Sequence, residues 1–111
     1  MSSISLIAKL RPSRARASRS LWLVVVEALP RIGTGIERTH ASARFDCLIL
    51  ATSESQALTL AREHIDQEGW SLEECCACRQ VSRRNLSSDL RRLIGEVTEF
   101  GEAYRCAARP L

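Results

Sequence analysis

The chain has 111 residues, 45% of them apolar and 26% charged, with 16 basic and 13 acidic side chains and a formal charge of +3. That length suits one small domain, and the composition excludes collagen-like, low-complexity and wholly disordered chains. It also excludes a helical membrane span, because the longest apolar run, Leu21 to Val26, falls far short of the ~20 residues a bilayer needs.

The charge is unevenly placed. Residues 1–20 carry Lys9, Arg11, Arg14, Arg16 and Arg19 and no acid, whereas residues 21–111 hold 11 basic and 13 acidic side chains. The overall +3 is therefore a +5 segment on a −2 domain. Fifteen of the basic residues are Arg and one is Lys. Arg is the better bidentate ligand for phosphate and carboxylate, although a GC-rich coding sequence gives the same bias. Rich in Ser, Arg and Ala and interrupted by Pro12, residues 1–20 read as a basic, disordered tail or a leader. Their composition also fits a mitochondrial-type transit peptide and a basic arm for nucleic acid or an anionic surface. A secretory signal fits poorly, since Glu27 ends a short apolar run with no small-residue cleavage site behind it. Five cysteines, an odd number without regular spacing, favour reduced thiols over a disulfide framework. The expected location is the cytoplasm, or the mitochondrial matrix if residues 1–20 are a transit peptide.

Residues 21–111 read as a single domain. Leu21-Trp22-Leu23-Val24-Val25-Val26 is a strand buried on both faces. Pro30 ends it, and Gly33-Thr34-Gly35 opens a long connection to about residue 42 that holds Arg31, Glu37, Arg38 and His40. Ala43 to Ala51 is a second strand, with Phe45, Cys47 and Ile49 on one face and Arg44, Asp46, Leu48 and Leu50 on the other. Ser53 and Gln56 make a capping box for a helix from Glu54 to about Glu68. Its apolar side is Ala57, Leu58, Leu60, Ala61 and Ile65, with His64 among them, and Gly69 takes the C′ position.

Trp70 to Val81 is a third strand whose alternation is imperfect. Trp70, Leu72, Cys76 and Cys78 share a face only if Glu74 is tolerated there; a bulge near Glu73-Glu74, or an edge position, resolves the conflict. After a polar loop over 82–88, a second helix is predicted from about Ser88 to Phe100, capped by Ser87 or Ser88. Leu90, Leu93, Ile94, Val97 and Phe100 form its stripe, and Gly95 weakens its middle. Gly101 ends it, and Glu102 to Arg109 is a final strand with Tyr104, Cys106 and Ala108 on one face. The order β-β-α-β-α-β implies an α+β two-layer sandwich: a sheet of about four strands with both amphipathic helices on one face. A ferredoxin-like arrangement, with right-handed crossovers, is the nearest named architecture.

Three constellations carry possible chemistry. Cys75 and Cys78 have C-x-x-C spacing with Cys76 between them, which makes these three the candidate ligands for a zinc-type metal. Against this, strand alternation puts 75 and 78 on opposite sides, no second C-x-x-C exists, and free cysteine commonly fills cores. Arg79, Arg83, Arg84, Arg91 and Arg92 form a basic patch for a phosphate backbone if the loop and helix start converge. Glu96, Glu99 and Glu102 follow at once, and no exposed aromatic pair suggests a base-stacking platform. His64 reads as packed near a helix C-terminus, and nothing at helpful spacing turns His40 into a catalytic dyad. Phosphate-loop, dinucleotide, zincin and nucleophile-elbow motifs are absent. Asn85-Leu86-Ser87 is a formal glycosylation sequon, relevant only to a secreted chain. With no catalytic residue to name, the sequence points to a non-enzymatic protein-interaction or regulatory module, binding a protein partner or a second copy through the irregular strand. An Arg-mediated nucleic-acid-associated protein and a thiol–zinc protein are the alternatives.

Overall fold

The computed structural model describes residues 19–111. The reading of residues 1–20 as a tail or leader falls almost wholly outside the described residues; Ser20 itself is already in the sheet, opposite Ala51. In chain order the elements are β1 (Ser20–Pro30), β2 (His40–Ala51), α1 (Glu54–Gln67), β3 (Trp70–Gln80), α2 (Ser88–Arg91), α3 (Ile94–Phe100) and β4 (Glu102–Pro110). Short 3-10 turns occupy Ile36–Arg38 and Arg83–Asn85.

The four strands form one antiparallel sheet in the order β3-β1-β2-β4. The first two strands make a central hairpin, with Val24 opposite Cys47 and Leu23 opposite Leu48. Because β2 and β3 both run antiparallel to β1, they are parallel to each other with β1 between them. The helix α1 is thus the crossover of a split βαβ unit.

Helices cover both faces of this sheet, which corrects the expected two-layer sandwich. Val24, Val26, Phe45, Cys47 and Ile49 pack with Ala57, Ala61 and Ile65 of α1. The alternate residues Leu23, Val25 and Leu48 pack with Leu86, Leu90 of α2 and Val97 of α3. The physical reason is already in the strand. An unbroken apolar run has two apolar faces, and each must be removed from water, at about 1.5–3 kcal/mol per fully buried aliphatic side chain. The fold is therefore α+β with a four-stranded antiparallel sheet, but its hairpin-centred order and two-sided cover depart from a ferredoxin-like layout.

Local chemistry explains where the elements begin and end. Ser53 caps α1 by accepting from the Gln56 amide at 3.1 Å, while Gln56 Oε1 accepts from the Thr52 amide at 2.7 Å. The reciprocal bond of the capping box thus lands one residue before the cap. Gly69, with φ +90°, is the left-handed C′ residue, and a Cβ there would sit 2.9 Å from Ile36 Cδ1. The expected single helix over 88–100 is broken at Arg92-Leu93, where the Leu93 amide donates to the Leu90 carbonyl at 3.0 Å. That i→i−3 closure separates two short helices, and Leu90 and Val97 are their buried residues. It also leaves Phe100, expected in the apolar stripe, 67% exposed.

The irregular strand is both bulged and at an edge, as its sequence implies, but the bulges change which residues share a face. β3 is an edge strand, and its register against β1 shifts between Glu74 and Leu72 and again between Ala77 and Cys75. Glu73 and Cys76 are the extra residues. Cys75 and Cys78, opposite Val26 and Val24, therefore share the α1 side, and Cys76 turns to the other face. This reverses the expectation from simple alternation.

Two-sided burial has a direct test. Leu48→Ala, on the α2–α3 side, and Ile65→Ala, on the α1 side, should each cost about 2–5 kcal/mol, because both side chains are fully buried. Chemical denaturation of both variants checks this; a near-neutral Leu48→Ala would mean that only one face is a core.

Candidate functional site

The helices α2 and α3 are short, 4 and 7 residues, and they cover only one end of their sheet face. At the border between covered and open sheet lies Asp46, 6% exposed and the only buried charged side chain among the described residues. Its partners come from register. Arg105 of β4 stands directly opposite, and Arg44 is two residues back on the same face of β2. Arg105 donates through Nε at 3.2 Å and Nη2 at 2.6 Å to Asp46 Oδ2, and Arg44 Nε donates to Oδ1 at 3.1 Å. Arg105 Nη1 also reaches Asp89 Oδ2 in α2 at 3.4 Å. One carboxylate thus ties β2 to β4, and Arg105 ties both to the helix above. The hydrogen bond to Asp46 pushes the Arg105 pKa further up, so this guanidinium stays charged.

Beside the triad is a cavity of about 420 Å³. Leu23, Val25, Ala77 and Leu90 give it apolar walls, while Arg44, Asp46, Arg79, Arg105, Ser87 and Cys76 supply polar groups. Asp46 and Arg105 are functional candidates that sequence reasoning missed. The available signal was a single acid inside an otherwise apolar stretch of strand, on a face predicted to hold Leu48.

The five arginines named from sequence converge in part. Arg91 Nη2 donates to the Arg84 carbonyl at 3.3 Å and Arg83 Nη2 to Thr98 Oγ1 at 3.3 Å, which fastens the 83–85 turn to α2 and α3. Arg92 follows Arg91 on the same exposed corner, and Arg79 lines the cavity. Among the described residues none of these five lies within ion-pair distance of a carboxylate; the pairs that form use Arg31, Arg44, Arg105 and Arg109.

The cysteines are dispersed. Cys47 is buried between β1 and β4, Cys75 and Cys78 lie on the α1 side of β3, Cys76 lines the cavity, and Cys106 is exposed on β4. All five are free. Burial first, then the Asp46 charge, pushes the Cys47 thiol up to about 12. Loss of solvation also raises Cys76, Cys78 and Cys106, the first helped by Glu74 and the last by Glu68. These four thiols are therefore protonated at neutral pH and are weak nucleophiles and ligands in that form. Among the described residues no three His, Cys, Asp or Glu side chains gather as a metal site.

The histidines have structural neighbours. His64 stacks on Tyr104 with ring centroids 3.5 Å apart, and the Tyr104 hydroxyl donates to Glu102. Burial and that bond raise the Tyr104 pKa well above its ordinary value. His40, expected in the loop, is the first residue of β2; it accepts or donates at Nδ1 to Thr39 Oγ1 at 2.8 Å and meets Trp70 edge-on. The loop before it is organised by Glu37, whose carboxylate accepts from the Gly33 and Gly35 amides at 2.8 Å each. Those backbone bonds hold its pKa below the usual carboxylate range.

Comparison with protein-family models, curated proteins and solved structures finds no significant match for the chain. No helix among the described residues is long and apolar enough to cross a membrane.

The triad makes its own prediction. Asp46→Asn leaves two guanidinium groups against a largely apolar surface, yet their side chains are 41% and 55% exposed. Water then offsets part of the lost pairing, so the expected cost is about 1–3 kcal/mol rather than the larger value of a fully buried pair. Urea unfolding checks it; a change within measurement error would show that the carboxylate does not tie β2 to β4.

Proposed function

We propose that the protein is a non-enzymatic interaction module that works by strand pairing at the outer edge of β4. The single observation behind this reading is the contrast between its two edge strands. Natural edges are blunted by bulges, charges or proline. β3 has two bulges, and Glu73 and Glu74 lie along it. β4 pairs with β2 without a shift from Arg109 to Glu102, and its residues from Cys106 onward are exposed. Its two arginines are drawn across the sheet face, Arg105 to Asp46 and Arg109 to Glu27. What remains along the outer edge is a regular backbone with small side chains at Ala107 and Ala108, stopped only by Pro110.

A second copy of the chain suits this edge. A two-fold axis through the sheet pairs β4 with itself about one residue. Centred on Cys106, that pairing sets Ala107 opposite Arg105 and Ala108 opposite Tyr104. Centred one residue earlier or later, it sets Arg105 against Arg105, or Arg105 against Arg109, and like charges directly opposite are destabilising.

Sedimentation equilibrium over a concentration series tests this. The expected result is reversible dimerisation that Ala107→Lys weakens about fivefold, because a lysine along an edge strand opposes pairing. In this register the Cys106 Cα atoms are about 4.5–5.5 Å apart, within the range of a disulfide. Diamide at mildly alkaline pH should therefore give Cys106–Cys106 as the main intermolecular crosslink in peptide mapping. A monomer at all concentrations, or crosslinks concentrated on Cys75 and Cys76, contradicts the reading.

A second reading, nucleic-acid association, is favoured by one specific observation: the exposed Arg83, Arg84, Arg91 and Arg92 corner has no carboxylate partner among the described residues. Such a patch neutralises phosphates without reading bases. Fluorescence anisotropy with a labelled DNA duplex tests it. Replacing Arg91 and Arg92 together by Gln should weaken binding and lower the log–log salt slope by about 1–2. Unchanged affinity would assign any binding to residues 1–20.

A further inference from the structure

We infer that the cavity between the sheet and α2 is a binding site for a small amphipathic carboxylate, an anionic head on a short apolar body. Its volume, about 420 Å³, falls within the ~300–1,000 Å³ of small-molecule sites. Two halves of different chemistry make it up. Leu23 and Val25 of β1, Ala77 of β3 and Leu90 of α2 offer apolar surface. Among the lining residues, Arg44, Arg79 and Arg105 set three guanidinium groups beside the carboxylate of Asp46, with Asp89 against Arg105 and Glu27 opposite Arg44 in the sheet.

Donor accounting shows which groups remain for a ligand. Arg105 is spent on Asp46 and Asp89. Arg44 engages Asp46 through Nε alone, which leaves its two terminal nitrogens. Arg79 has no carboxylate partner among the described residues. The wall already holds one carboxylate by the same chemistry, since the planar guanidinium fork matches a carboxylate. An ammonium head would meet the terminal nitrogens of Arg44 and the guanidinium of Arg79 rather than a free carboxylate. A neutral alkyl compound leaves the free guanidinium groups unanswered, and inorganic phosphate leaves the apolar walls wet.

Two-dimensional amide spectra of the full chain, titrated with hexanoate, test the site. Hexan-1-ol, hexylammonium and inorganic phosphate serve as matched probes at equal ionic strength. Hexanoate should give saturable shifts at Leu23, Val25, Ala77 and Leu90 with a midpoint on the order of millimolar, as expected for so small a ligand. Each of the other three probes should bind at least about fivefold more weakly. Arg79→Gln, an exposed substitution compatible with folding, should weaken hexanoate by about fivefold. Arg62→Gln, on the exposed side of α1 across the sheet, changes the net charge equally and should leave binding unaltered. Absence of saturable shifts, equal binding of hexan-1-ol or phosphate, or indifference to Arg79→Gln overturns the inference.

Discussion

Burial of β1 from both sides is the constraint on which the rest of the molecule depends. Val24 and Val26 face α1 while Leu23 and Val25 face α2 and α3, so neither face can be left to water. The strand must then be central in the sheet, and the hairpin with β2 keeps it there. β3 and β4 are left as the two edges. With helices committed to both faces and only a short pair available for one of them, part of that face stays open. The cavity forms at the border, where the sheet continues and α2 stops.

Asp46 sits on this border and gives it a direction. Its carboxylate holds Arg105 and Arg44 over the sheet, which sets their guanidinium groups beside an apolar hollow. The same pull removes Arg105 from guarding the β4 edge. A buried ion group is weak evidence for stability by itself; its worth here is positional, because it fixes β4 against β2 and shapes the cavity wall. Edge and cavity are thus separate consequences of one arrangement, and either can fail without the other.

Much of this was legible in the sequence because it is local. The capping Ser53, the Gly69 stop and the apolar side of α1 all depend on residues within a few positions of one another. The conflict in Trp70–Val81 was legible too, since it called for a bulge or an edge, and β3 has both. Less accessible was the side on which each helix lies. An apolar stripe says that a helix packs, not on which face of the sheet it packs. The six-residue apolar run from Leu21 to Val26 did carry that information, because a strand buried on both faces needs two covers. The bulge at Glu73 moves Cys75 to the α1 side and the one at Cys76 returns Cys78 to it, a pairing of faces that alternation alone does not predict. The Asp46–Arg105 pair is separated by 59 positions, so only strand register creates it. Such long-range pairing is invisible to a local reading, and the cavity depends on it.

The most direct measurement of the edge is amide hydrogen exchange of β3 and β4 at low and high protein concentration under reducing conditions. Strand pairing at β4 predicts that alternate amides between Ala103 and Arg109, those pointing away from β2, slow as concentration rises, while β3 is unchanged. Exchange along β4 that is independent of concentration, or slowing confined to β3, would contradict it.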